Sequence, residues 1–295
     1  IMTSLTESHI EKSLIELLIT KGYSYFCGSD IAPYSPNPQR EGFNSVVLEN
    51  HLKESLKRLN PNLPESARHE AYQHIINLGS ADLMANNEKF HNFLTIGVTV
   101  EYFKDGNTKG INVKLIDLEN ISNNSFWVVN QFVVKENNNE KRLDVVIFVN
   151  GLPLVIIELK SATDEKATLE KAFTQLQNYK KAVPSIFYYN SLCVISDGID
   201  ARVSSVSATF GRYLAWKSPN KSENGKLIEM QIMAERMLDK EVLLRLIRYN
   251  TVFEQEEVKD EKTGLTSLVK IKKVAAYHQF YAVEKAVKET LRATN

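Results

Sequence analysis

Residues 142–160 read RLDVVIFVNGLPLVIIELK, two runs of β-branched and aliphatic residues on either side of Asn150-Gly151. Runs of this kind are strands, and Asn-Gly between them is the strongest short-range hairpin signal, because both central residues of a type I′ turn need positive φ. Strands apolar on both faces are stable only inside a layered fold, so the rest of the chain has to cover this hairpin. Yet the same strands carry Asp144, Glu158 and Lys160. A buried charge without a partner is costly, so something must compensate these three.

A loop over 150–152 pairs residue 149 with 153 and sets Asp144 directly across from Glu158. Directly opposed residues have Cβ atoms about 4.5–5.5 Å apart. Lys160, two residues beyond Glu158, shares its face. Adjacent carboxylates repel, and a divalent, oxygen-seeking cation removes the conflict. Mg2+ suits one or two carboxylates completed by water and substrate phosphate, with Mn2+ as a substitute. Such an ion lowers the pKa of water and offsets charge developing on a phosphate, and Lys160 could orient that water or stabilise the transition state. The reaction expected is metal-assisted phosphodiester hydrolysis. A second Glu-x-Lys, Glu257-Val258-Lys259, sits in an acidic, polar stretch with no apolar strand around it. The opposed Asp144 sets the first copy apart.

The 295 residues, 43% hydrophobic and 24% charged, suffice for a large core. Basic and acidic residues balance at 36 each, so any nucleic-acid binding rests on local patches. Two isolated cysteines, Cys27 and Cys193, exclude a disulfide framework and fit a reducing cytoplasm, the expected location. The polar N-terminus predicts no signal peptide, and no apolar run approaches the roughly 20 residues that span a bilayer. His69 and His74 are five apart, wrong for two zinc ligands on one helical face, and no Gly-x-Ser-x-Gly elbow occurs.

Apolar Ile10, Leu14, Ile15, Leu18 and Ile19 predict a first helix stopped by Gly22, and two or three helices follow between Ser45 and Phe90. From Phe93 alternating residues predict strands of one sheet through the hairpin. A helix then runs to Pro184, and residues 185–206 supply two or three short strands. Beyond Trp216, residues 217–226 look like a linker, and the remainder reads as helical with one charged loop at 254–264. The fold class expected is α/β, a mixed sheet flanked by helices with a helical C-terminal segment. The division expected is 1–218 and 219–295.

Gln175 and Tyr179 are four apart and share a helical face beside the strand of Lys160. Either they hold a phosphate or the water's surroundings, or Tyr179 merely caps the core of an amphipathic helix. Glu11 is either a site residue or a solvated helical glutamate, with Glu7 and Glu16 as competitors. Lys141, Arg142, Lys166, Lys171, Lys180 and Lys181 either line a phosphate-contacting groove or are solvated charges.

Asp144, then Glu158-Leu159-Lys160, then Gln175-x-x-x-Tyr179 resembles the PD-(D/E)xK nuclease motif with the Gln-x-x-x-Tyr element of its RecB-like branch, Leu143 standing where the motif has Pro. Together with NNSFWVVNQFVV, FYYNSLCVISDGIDARVSS and KKVAAYHQFYAVEKAV, the chain is similar to the N-terminal part of the R subunit of type I restriction enzymes. That resemblance implies a restriction-endonuclease-like fold that cuts double-stranded DNA and works with methylation and specificity subunits. It implies Asp144 and Glu158 as metal ligands, Lys160 as the catalytic lysine, Gln175 and Tyr179 as accessory residues, and Glu11 as the first-helix acidic residue. Gln279 then matches a Gln that contacts adenine ahead of an ATP-driven motor. No GxxxxGK[ST] loop occurs, so ATP is expected to belong to a longer protein of which this is an N-terminal part. The alternative is a nuclease-like fold that only docks or binds DNA.

Overall fold

A computed structural model describes residues 6–104, 107–161, 169–259 and 266–294. Helix α1 (Glu7–Thr20) begins at Thr6, whose hydroxyl accepts the His9 N–H, and buries Ile10, Leu14, Ile15 and Leu18. Strand β1 (Ser24–Cys27) follows, then α2 (Glu49–Leu59), α3 (Glu65–Ile76), α4 (Leu83–Ile96), β2 (Val98–Lys104) and β3 (Asn107–Val113). The centre is an antiparallel meander of β4 (Phe126–Glu136), β5 (Asn139–Val149) and β6 (Leu152–Leu159). Then come α5 (Leu169–Ala182), α6 (Ser185–Tyr188), β7 (Leu192–Ser196), β8 (Ala201–Ser204) and β9 (Leu214–Ala215). Helix α7 (Glu229–Ile232) runs into a π-helical turn, Met233–Met237. The chain continues through α8 (Lys240–Tyr249), β10 (Thr251–Lys259), β11 (Thr266–Val274) and α9 (Tyr277–Thr294).

Seven strands form one sheet in the order β1-β4-β5-β6-β7-β8-β9. The β1–β4 and β6–β7 pairs are parallel and the others antiparallel, which makes the sheet mixed. All eight residues of β6 are buried, with α1 and α5 packed against it. Each buried Val, Leu or Ile there contributes about 1.5–3 kcal/mol, which explains why this hairpin takes the middle of the sheet. The architecture is the helix-flanked mixed sheet that the sequence implies.

The hairpin turn differs from the expected loop. Asn150 and Gly151 both have positive φ, +53° and +86°, and Val149 pairs with Leu152 rather than with Pro153. Pairing continues at Phe148 and Pro153, after which the register shifts so that Ile147 faces Val155 and Val145 faces Ile157. Leu154 is the extra residue of this β-bulge, beside a proline that has no N–H to donate to a regular ladder. The bulge restores the offset that the longer loop was expected to supply. One step further along each strand stand Asp144 and Glu158.

Asn150 is fully buried and fixes the turn from outside: its Oδ1 accepts from Arg58 Nη2 (3.0 Å) and the Ser125 N–H (2.9 Å), and its Nδ2 donates to Leu115 O and Asn124 Oδ1 (both 2.9 Å).

Four other expectations are corrected. Residues 93–96 end α4, and the strand starts only after Gly97, whose φ of +97° stops the helix. Strands β2 and β3 pair with each other as a separate two-stranded sheet, because alternation predicts a strand without naming its neighbour. Residues 185–188 are a helical turn rather than strand. The charged loop read at 254–264 lies partly in the β10–β11 hairpin, where Lys273 pairs with Glu254 and Glu256, so cross-strand charge pairs replace apolar alternation. The buried cluster continues past residue 218 through Met230, Met233, Leu243, Ile247 and Phe280.

Candidate active site

Helix α1, the middle of β4 and β5 and the C-terminal end of β6 border a cleft of ≈ 850 Å³ lined by Glu7, Glu11, Gln131, Arg142, Asp144 and Leu159, among others. Asp144 sits at its wall, half-buried, with Oδ2 accepting the Leu159 N–H at 2.8 Å. Glu158, the next residue of the register, is 1% exposed. Its Oε1 accepts from Lys160 Nζ at 2.6 Å, and its Oε2 is buried without a hydrogen-bond partner. Lys160 Nζ also donates to Leu159 O (2.8 Å) and lies 3.9 Å from Glu7 Oε1. The main chain of Lys160 extends the parallel ladder by donating to Ser196 O at 2.9 Å, which fixes the residue at the C-terminal end of this central strand.

Burial, followed by the nearby Asp144 charge, pushes the Glu158 carboxyl up to about 8, against the pull of Lys160. Burial also raises Asp144, opposed by the Leu159 N–H and Lys160 and reinforced by Glu7 and Glu11. Burial acts to lower Lys160, but Glu158, Asp144 and Glu7 outweigh it and hold the ammonium above its ordinary value. Two acids raised by desolvation and by neighbouring carboxylates are what a site looks like when it favours a cation. The donor set is all oxygen, and one of those oxygens, Glu158 Oε2, is buried and unsatisfied. A hard divalent ion fits both facts. Among the described residues no group of three or more His, Cys, Asp or Glu is placed to hold a metal, so water and substrate oxygens would complete the coordination of such an ion.

The remaining candidates divide. Tyr179, buried on α5, donates its hydroxyl to Arg142 O at 3.1 Å and so ties α5 to the strand of Asp144; burial and then Glu158 raise its pKa. Gln175 lies half-buried one turn earlier on the same helix. Glu11 is in the cleft, and so is Glu7, whereas Glu16 is exposed and pairs with Lys12 at 3.9 Å. Arg142 is exposed and lines the cleft. Lys141 is half-buried next to it, paired with Val134 across the sheet. Lys171 and Lys181 are exposed on α5, Lys180 donates to Val206 O at 3.0 Å, and Lys166 lies outside the described residues. Gln279 is on α9, where its Oε1 accepts the Ala276 N–H at 2.9 Å and closes the start of that helix; it is not among the cleft residues.

Gln131, a cleft residue, and the buried Asn130 beside it are residues that the motif reading passes over. Both amides donate to Glu11, from Asn130 Nδ2 to Oε1 at 2.7 Å and from Gln131 Nε2 to Oε2 at 2.5 Å. The β4–β5 register held the signal: Glu136 pairs with Asn139, and the same count puts Gln131 across from Asp144.

A family model described as type I restriction enzyme R protein N terminus matches residues 4–212. The endonuclease subunit of the type I restriction enzyme HindI from Haemophilus influenzae is 38% identical over 99% of this chain and 27% of its own length. A putative type I restriction enzyme endonuclease subunit, MjaIXP, from Methanocaldococcus jannaschii is 30% identical over 96% of this chain and 28% of its own length. The chain thus spans little more than a quarter of the length of these relatives. By the extent of that match, and with the helix-flanked mixed sheet in place, the chain belongs to the family of type I restriction enzyme R protein N-terminal regions.

Proposed function

We propose that this chain is the nuclease part of a restriction R subunit, hydrolysing phosphodiester bonds of double-stranded DNA with Mg2+, or Mn2+ in its place, held by Asp144 and Glu158. The observation that carries this reading is the buried, unpartnered Glu158 Oε2 beside a second carboxylate and one ammonium group. When bound, the ion lowers the pKa of water and offsets negative charge on the phosphate. Asp144 is kept in place by the Leu159 N–H, so its carboxylate needs no reorganisation to meet substrate. Lys160, held as an ammonium, stabilises charge developing on the phosphate. Tyr179 braces the backbone at Arg142, and the Arg142 side chain, exposed at the cleft, meets the DNA phosphates. Gln175 extends that bracing face.

The methylation and specificity subunits, a cytoplasmic setting and ATP use belong to this proposal for the longer protein. No helix among the described residues is long and apolar enough to cross a membrane. In the cap of α9 the Oε1 of Gln279 is engaged by the Ala276 N–H, so a nucleotide contact by Gln279 would fall to its Nε2.

Calorimetric titration of Mn2+ into the wild type and into an Asp144→Asn, Glu158→Gln double variant tests the reading. Binding heat is expected from the wild type and none from the variant. Equal heats from the two would sink the metal site and leave a module that only docks or binds DNA.

A further inference from the structure

Gln131 adopts φ +53°, a left-handed conformation that Gly or Asn would take with less strain. It sits where the β4–β5 ladder skips a step: Asn130 pairs with Val145 and Phe132 with Leu143, and the intervening pair, Gln131 with Asp144, is missing. The neighbouring chain is built around this kink, since a Cβ on Gly28 would come within 2.5 Å of Gln131 O. Consecutive strand residues ordinarily point to opposite faces. Here the left-handed residue turns its side chain back, and the amides of two consecutive residues reach one carboxylate, a separate donor on each oxygen of Glu11. Tyr25 donates to Asn130 Oδ1 at 3.1 Å, which turns the amide nitrogen of Asn130 toward Glu11. Strain retained beside a cleft is a mark of function rather than of folding.

We propose that Asn130 and Gln131 are positioning residues, an amide clamp that holds the Glu11 carboxylate at the cleft wall, where its charge favours the divalent cation held by Asp144 and Glu158 without ligating it directly. This rests on the metal reading above. It explains why a glutamine occupies a backbone position that suits glycine, and why the ladder opens opposite Asp144.

The test is Mn2+ calorimetry together with thermal unfolding on the wild type, Gln131→Gly, Glu11→Ala and their combination. Gln131→Gly suits the left-handed backbone and deletes the side chain with its amide. The expected result is an unfolding temperature equal to or above that of the wild type, with Mn2+ affinity reduced on the order of tenfold, the scale of losing an outer partner at a metal site. In the Glu11→Ala background the glycine should change Mn2+ affinity no further. Undiminished affinity in Gln131→Gly, or an equal loss with and without Glu11, overturns the clamp while the metal reading stands. A wild type that binds no Mn2+ overturns both. Should Gln131→Gly not fold, Gln131→Asn, which tolerates the same backbone with a side chain one methylene shorter, takes its place with the same expected and overturning results.

Discussion

The backbone N–H of Leu159 donates to Asp144 Oδ2 at 2.8 Å across the β5–β6 pair, so the first acidic side chain is fixed by the main chain of the strand that carries the second. Leu159 is 1% exposed, and water cannot readily replace that acceptor. Asp144→Ala should therefore cost about 1–3 kcal/mol, the penalty of an unsatisfied buried donor. Asp144→Asn retains an oxygen acceptor and should stay close to the wild type. Urea unfolding of the two variants separates them, and equal midpoints would show that the contact contributes nothing.

Glu158 gives the metal-free protein a defined pH dependence. Its folded value of about 8 lies above its ordinary 4.5, so the folded state holds a proton that the unfolded chain releases. Its contribution is fully present below 4.5 and is lost as pH rises through about 8, which makes stability fall across that window. Glu158→Gln copies the neutral acid and should flatten the fall, becoming the more stable protein at alkaline pH. Urea midpoints at several pH values read this directly.

Lys272 should act with the opposite sign. It is 3% exposed on β11, with Nζ donating to Asn87 Oδ1 (3.0 Å) and Asn190 O (2.9 Å), and burial pushes it from 10.5 down to about 7. A depressed folded value means that stability is present above 10.5 and is lost as pH falls through about 7. Lys272→Met should remove this rise in stability with pH, at the cost of leaving Asn87 Oδ1 without its donor, while Asn190 O keeps the Asn87 Nδ2 donor at 2.7 Å. The same urea series on that variant checks it.

Gly151→Ala should be strongly destabilising. The position has φ +86°, and an added Cβ would lie 2.7 Å from Leu52 N and 2.8 Å from Leu48 O, both backbone atoms that a rotamer change does not move. Strain of that kind costs about 1–3 kcal/mol before any displacement of α2. Thermal unfolding should show the loss, and Mn2+ binding should weaken with it, because the turn sets the register of Asp144 against Glu158.

Arg142 and Lys180 should part company in DNA binding. Arg142→Ala removes an exposed cleft cation and should lower affinity for double-stranded DNA, with the salt slope falling by about 0.9 if it meets one phosphate. Lys180 is tied to Val206 O, so Lys180→Ala should cost about 1 kcal/mol of stability and leave DNA affinity alone. Filter binding across a salt series distinguishes the two.

What the chain determined by itself is what depends on local chemistry and short periods. Asn-Gly between two continuous aliphatic runs set the central hairpin, and a capped 3.6-residue pattern set α1. The opposition of Asp144 and Glu158 was legible too, although a two-residue turn plus a bulge at Leu154 produced the offset attributed to a longer loop. Tertiary structure decided whatever depends on partner choice. Alternation marked β2 and β3 as strands but left open that they pair apart from the main sheet, and the acidic run of β10 hid a strand because its partner supplies lysines instead of an apolar face. Spacing on α1 left three glutamates in contention, and only the packing of that helix on the sheet turned Glu7 and Glu11 into the cleft and Glu16 away. The amide clamp on Glu11 required a left-handed glutamine, which no propensity foretells, because its strain is offset only by contacts from chain segments distant in sequence.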